Sequence, residues 1–113
     1  IQWLYSIKNR KEKVMQIINS TDIDVNGTSK QSTIRASYWE LIEAFGQPTY
    51  RGPEYLDDKL NVEWVLNVDG EVATIYDWKS SILPEDNTTW NIGAFTHAAA
   101  WKIIDILNKK EVA

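Results

Sequence analysis

Two alternating segments joined by Asp69-Gly70 restrict what this chain can fold into more than any other feature. Over residues 60–69, Leu60, Val62, Trp64, Leu66 and Val68 take every second position, with Asn61, Glu63, Val65 and Asn67 between them. A period of two marks a strand, because successive side chains point to opposite sides of a pleated sheet. Asp-Gly suits the tight turn between such strands, since glycine, and aspartate to a lesser degree, accepts positive φ. Residues 71–79 then return as the partner strand. A two-residue turn sets position 68 against 71, 66 against 73 and 64 against 75. The core face is then Val62, Trp64, Leu66, Val68, Ala73 and Ile75. The opposite face holds Glu63, Val65, Asn67, Val72, Thr74, Tyr76 and Trp78, apolar enough to be covered and polar enough to stay wet. A bulged turn would exchange the two faces.

Helices flank this hairpin. Ser37-Tyr38-Trp39-Glu40 is an S-x-x-E capping box, in which each end residue satisfies the other's free backbone N–H. Tyr38, Leu41, Ile42 and Phe45 follow as one apolar stripe, Gly46 stops the helix and Pro48 prevents its continuation. A second helix is expected over Phe95–Lys109, burying Ala99, Ala100, Ile103, Ile104 and Leu107, with an Asp105–Lys109 pair outside. Thr88–Ile92 reads as a third strand with Trp90 and Ile92 on one face, and Met15–Ile18 is a candidate fourth. The expected fold is α+β in two layers: an antiparallel sheet of three to four strands with two main helices packed on one face.

The 113 residues suit one domain with a core of its own. A 43% hydrophobic and 25% charged composition is that of a globular chain. With no cysteine, a disulfide scaffold, a thiolate metal site and a cysteine nucleophile are excluded. No apolar run reaches membrane length and no signal peptide is visible, so the expected setting is cytoplasmic, with no membrane partner. The net charge of −4 is unevenly spread. Lys8, Arg10, Lys11 and Lys13 precede Met15 against Glu12 alone, and the remainder holds all the other acids. Residues 1–14 therefore read as a basic N-terminal extension, either helical through Trp3, Leu4 and Ile7 or foreign to the domain, and 15–113 as a single α+β domain.

Few groups offer chemistry. His97 is the only histidine; it is expected to sit on a helix surface, and a base there would need a carboxylate such as Glu63 or Asp77 brought up in space. Asp22-x-Asp24 provides two carboxylates where a divalent metal wants at least one more ligand, so a turn is the better reading. Gly27-Thr28-Ser29-Lys30 lacks the upstream glycine of a phosphate loop, and no G-x-S-x-G elbow is present. Neither a metal nor a cofactor is expected.

The aromatic residues form the richest group, with six tryptophans among them. Trp64 and Trp101 are expected to anchor the core. Trp39, Trp78 and Trp90 are placed along a groove beside Tyr76, where flat rings with polar tips suit a base, a sugar or a peptide. The same rings would also serve a sheet cover or a homodimer interface. The candidate contact residues are Glu63, Thr74, Tyr76, Trp78, Trp90 and Asn91.

The series Gly27-Thr28-Ser29, Tyr38…Leu41…Phe45-Gly46-x-Pro48, Trp64, Asp69-Gly70, Ala73-Thr74-Ile75-Tyr76-Asp77-Trp78-Lys79 and Trp90-x-Ile92-Gly93 resembles a family of short proteins carried by bacteriophages and related mobile DNA. The resemblance runs over roughly residues 15–108, and its A-T-I-Y-D-W-K and W-x-I-G stretches are its specific parts. Members often have a histidine after the tryptophan and a second glycine after the first, where this chain has Asn91 and Ala94. Lys30 and Ser32 also depart from the pattern. The family implies a phage or gene-cassette origin, has no assigned activity, and supplies no catalytic residues to carry over.

A small non-enzymatic binding protein, acting on a host protein or a small ligand, is the reading these observations favour. One alternative is a small enzyme using Glu63, Asp77 and His97 as acid–base groups in an aromatic pocket. Another is an acidic DNA mimic that inhibits a host nuclease. The acidic body makes direct nucleic-acid binding the poorer fit.

Overall fold

The hairpin forms in the register that its turn chemistry dictates. In the computed structural model, residues 16–112 are described, with side chains through 109. Val68 lies opposite Glu71, Leu66 opposite Ala73 and Trp64 opposite Ile75. Asp69 (φ 56°) and Gly70 (φ 90°) are both left-handed, as a type I′ turn requires.

Along the chain the elements are β1 (Ile17–Asn19), β2 (Ser29–Arg35), α1 (Tyr38–Phe45), β3 (Tyr50–Arg51), β4 (Val62–Val68), β5 (Glu71–Tyr76), a 3-10 turn at Pro84–Asp86, β6 (Thr89–Ala94) and α2 (His97–Val112). They build one antiparallel sheet in the order β1-β4-β5-β6-β2, with β3 also on β4. β1 pairs with the Leu66–Val68 half of β4 and β3 with its Val62–Glu63 half, so the two short strands share one edge. Among the described residues the sheet thus has six strands, more than the three to four expected. β3 has only two residues, too few to show a period. β2 is the sequence SKQSTIR, an edge strand whose register shifts between Lys30 and Ser32, so no alternation survives in it. Residues 1–14, read above as an extension, lie outside the described residues.

Both helices pack on one face of the sheet, as expected. The α1 capping box is complete: Glu40 N–H donates to Ser37 Oγ at 3.1 Å and Ser37 N–H to Glu40 Oε1 at 2.8 Å. α2 starts later than expected because Thr96 caps it, its Oγ1 accepting from Ala99 N–H at 3.3 Å. Between helices and sheet lies the core: Tyr38, Leu41 and Phe45 from α1, Ala99, Ala100, Ile103 and Leu107 from α2, and Val62, Trp64, Leu66, Val68, Ala73, Ile75, Trp90, Ile92 and Ala94 from the central strands. Trp64 and Trp90 meet edge to face, with ring centroids 5.5 Å apart. Each indole N–H reaches a backbone carbonyl, Gly46 for Trp64 at 2.9 Å and Ala36 for Trp90 at 2.8 Å, so neither buried ring leaves a donor unmet.

Trp101 and Trp90 both depart from their expected places. Trp101 is 64% exposed rather than a core anchor, because the buried stripe of α2 is Ala99, Ala100, Ile103 and Leu107 and position 101 turns away from it. Trp90 is fully buried rather than in a groove, because Ile92 pairs with Ile75 and that register puts Trp90 on the helix side.

The second face of the sheet is not bare. Val65 and Thr74 point away from the helices and are each only 2% exposed. Thr49 lies beside Val65, its Oγ1 accepting from Val65 N–H at 2.7 Å, and residues 20–28 carry the chain from the β1 edge to the β2 edge. Among the described residues, no helix is long and apolar enough to cross a membrane.

Candidate functional site

Strand register assembles a row of side chains on that second face. Tyr50 of β3 lies opposite Glu63 of β4, Glu63 opposite Tyr76 of β5, Tyr76 opposite Asn91 of β6, and Asn91 opposite Thr33 of β2. Directly opposed residues have side chains close enough to interact, so Glu63 sits between two tyrosines. Glu63, Tyr76 and Asn91 are half-buried. Of the residues singled out from the sequence, these three come together.

The remaining three do not. Thr74 lies one row further along, buried beneath the surface. Its Oγ1 is 2.6 Å from where a Cβ on Gly93 would stand, so it fills the space that the glycine leaves. Trp90 belongs to the helix-side core, as described above. Trp78 lies just past the end of β5, 49% exposed, with the ammonium groups of Lys59 and Lys79 at 5.6 Å and 5.7 Å from its ring centroid. Those distances are within cation–π range. Trp39, also placed in the expected groove, is 61% exposed on α1, in the helix layer.

Glu63 is the electrostatic oddity of the row. Among the described residues it has neither a hydrogen-bond partner nor a counter-ion. Burial pushes its carboxyl above the ordinary carboxylate range, and the nearby Asp57 carboxylate adds to this. Burial likewise raises the Tyr76 phenol, with the Glu63 charge contributing. Arg51, next to Tyr50 in β3, does not relieve Glu63. Its guanidinium is held by Glu85 at 3.0 Å and by the Tyr38 hydroxyl at 3.0 Å.

The other groups considered for acid–base work lie elsewhere. Asp77 is 1% exposed, and its carboxylate accepts from Asn61 N–H at 2.9 Å, Asn61 Nδ2 at 2.7 Å and Val62 N–H at 3.3 Å. It ties the end of β5 to the start of β4. His97 is exposed at the first residue of α2, in the helix layer. Glu63, Asp77 and His97 therefore do not form one constellation. Asp24 accepts from Asn26 N–H at 2.9 Å within a turn, and no group of three metal-ligating side chains occurs among the described residues.

Sequence reading missed Tyr50 and Tyr55, and read Asp57, with Glu54 and Asp58, as the acidic end of a solvated loop whose spacing does not fit a calcium site. Tyr55 packs its ring 6.3 Å from that of Tyr50, the residue opposite Glu63. They lie in a stretch that reads as a loop through Pro48, Gly52 and Pro53; only the two-residue strand at Tyr50 connects it to the row. A separate shallow groove of about 180 Å³ runs between β2 and α2, lined by Thr33, Ile34, Arg35, Ile104, Leu107 and Asn108.

Comparison with known protein families, with curated proteins and with solved structures returns no match.

Proposed function

We propose that this chain is a small non-enzymatic binding protein of phage or mobile-element type, working in the cytoplasm on a host protein or a small ligand. Its contact surface is the row Glu63, Tyr76 and Asn91, extended by Tyr50 and by Trp78. The observation that carries this reading is Glu63: a half-buried carboxylate between two tyrosines with no partner among the described residues. Such an arrangement lowers stability unless something outside the chain completes it. The separation of His97 and Asp77 from Glu63 supports binding over acid–base catalysis.

A thermal-shift screen with nucleotides, amines, sugars and metabolites tests it, because a ligand that binds only the folded state raises Tm by mass action. The expected result is a stabilising ligand whose effect disappears in the Tyr76→Ala/Trp78→Ala double variant while its circular dichroism stays that of the parent. A stabilising ligand whose effect is unchanged in that variant would place the site elsewhere.

A further inference from the structure

Resting on the surface just described, we propose that the group it accepts is a guanidinium, carried by a small molecule or by an arginine side chain of a partner protein. Three observations meet at Glu63. The carboxylate is half-buried and lacks a counter-ion among the described residues. Tyr50 and Tyr76 stand directly opposite it on the two neighbouring strands, so an aromatic ring flanks it on each side. Arg51, beside Tyr50, is engaged with Glu85 and Tyr38, and Lys59 and Lys79 lie over the Trp78 ring.

The chemistry then selects the ligand. An anion would meet Glu63 and the nearby Asp57. A neutral group would leave the half-buried charge unmatched. A bare metal ion wants several oxygen ligands, and no such set occurs among the described residues. A guanidinium is planar, can donate two parallel N–H bonds to one carboxylate, stacks on aromatic faces and is more weakly hydrated than an ammonium. A carboxylate between tyrosines offers both kinds of contact together. Asn91, next to Tyr76 in the row, adds an amide oxygen as a further acceptor.

The test uses the full chain and four probes observed by NMR and calorimetry: agmatine, a capped Gly-Arg-Gly peptide, the same peptide with citrulline, and the same peptide with lysine. Agmatine and the arginine peptide are expected to bind and to perturb the Tyr76 and Asn91 signals. The citrulline peptide, equal in shape without the charge, is expected to bind at least about tenfold more weakly, and lysine to fall between them. Glu63→Gln should remove the preference for arginine over citrulline. Glu71→Gln, which alters a carboxylate paired with Lys102 at 2.9 Å, should leave it intact. Agmatine binding as tightly as the peptide points to a free small molecule, and a peptide advantage points to a protein partner. Equal binding of arginine and citrulline, a preference that survives Glu63→Gln, or no response to either guanidinium at millimolar concentration would overturn the assignment. If instead a neutral or anionic compound from the thermal-shift screen binds and is lost with Tyr76 and Trp78, the guanidinium assignment fails and the surface stands. A guanidinium response that leaves Tyr76 and Asn91 unperturbed overturns both.

Discussion

Two carboxylates in this protein are handled in opposite ways. Asp77 is buried and accepts three N–H bonds, so its charge is met where it stands. Glu63 is half-buried, meets no donor among the described residues, and has its carboxyl raised by burial and then by Asp57. The sign of the resulting linkage follows from that direction. Below the ordinary carboxylate range, Glu63 is protonated in both the folded and unfolded chain and has no effect. As pH rises, the unfolded chain releases this proton first, so stability is lost until the folded carboxyl has also ionised. Glu63→Gln is therefore expected to raise Tm relative to the parent at about pH 7 and to leave it unchanged at about pH 3. Thermal melts followed by circular dichroism at both pH values check this; a variant less stable than the parent at neutral pH would contradict it. Such a gain at a proposed contact residue is the familiar exchange of stability for binding.

Among the elements, β5 and β6 are fitted together by a glycine. Gly93 pairs with Thr74, and a Cβ at position 93 would meet Thr74 Oγ1 at 2.6 Å and the Tyr76 ring at 3.4 Å. Its backbone needs no left-handed conformation, so the requirement is for space alone, unlike Gly70, where φ of 90° sets it. Gly93→Ala is expected to destabilise by about 1–3 kcal/mol through overpacking. Thr74→Ala removes the obstructing oxygen, so in urea denaturation the double variant should be more stable than the two single effects predict, by about 1 kcal/mol. Additive effects would show that the clash is relieved elsewhere. The same strands show what the sequence could and could not disclose. The β4–β5 register was legible because an Asp-Gly turn and a period of two, from Val62 to Val68, agree on it. Trp90 and Ile92 were legible as sharing a face, but which face is decided by the pairing of Ile92 with Ile75, a long-range choice that neither strand states. Tyr50, and with it half of the surroundings of Glu63, was hidden because a two-residue strand has no period to read. β2 was hidden because its outer edge is polar and its register shifts.

At the scale of the whole molecule, both helices and all central strands draw on one cluster, with Trp64 and Trp90 at its middle. A chain built this way is expected to unfold in a single cooperative step. Tryptophan fluorescence and far-ultraviolet circular dichroism should give the same urea midpoint, whereas an earlier change in either signal would mean that the helix layer separates from the sheet first. The placing of β1 and β2 has a further bearing, on the order of assembly. The first two described strands sit at opposite rims and do not pair with each other: β1 waits for β4, and β2 waits for β6, with the Gln31 side chain reaching Ala94 O across 63 residues. Among the described residues the short-range strand pairings are the β4–β5 hairpin and β3 on β4, both at the centre of the chain, whereas contacts as distant in sequence as those of β1 and β2 form slowly. During synthesis the early strands therefore emerge without partners, and the sheet can close only from its centre outward, after residue 94 has left the ribosome.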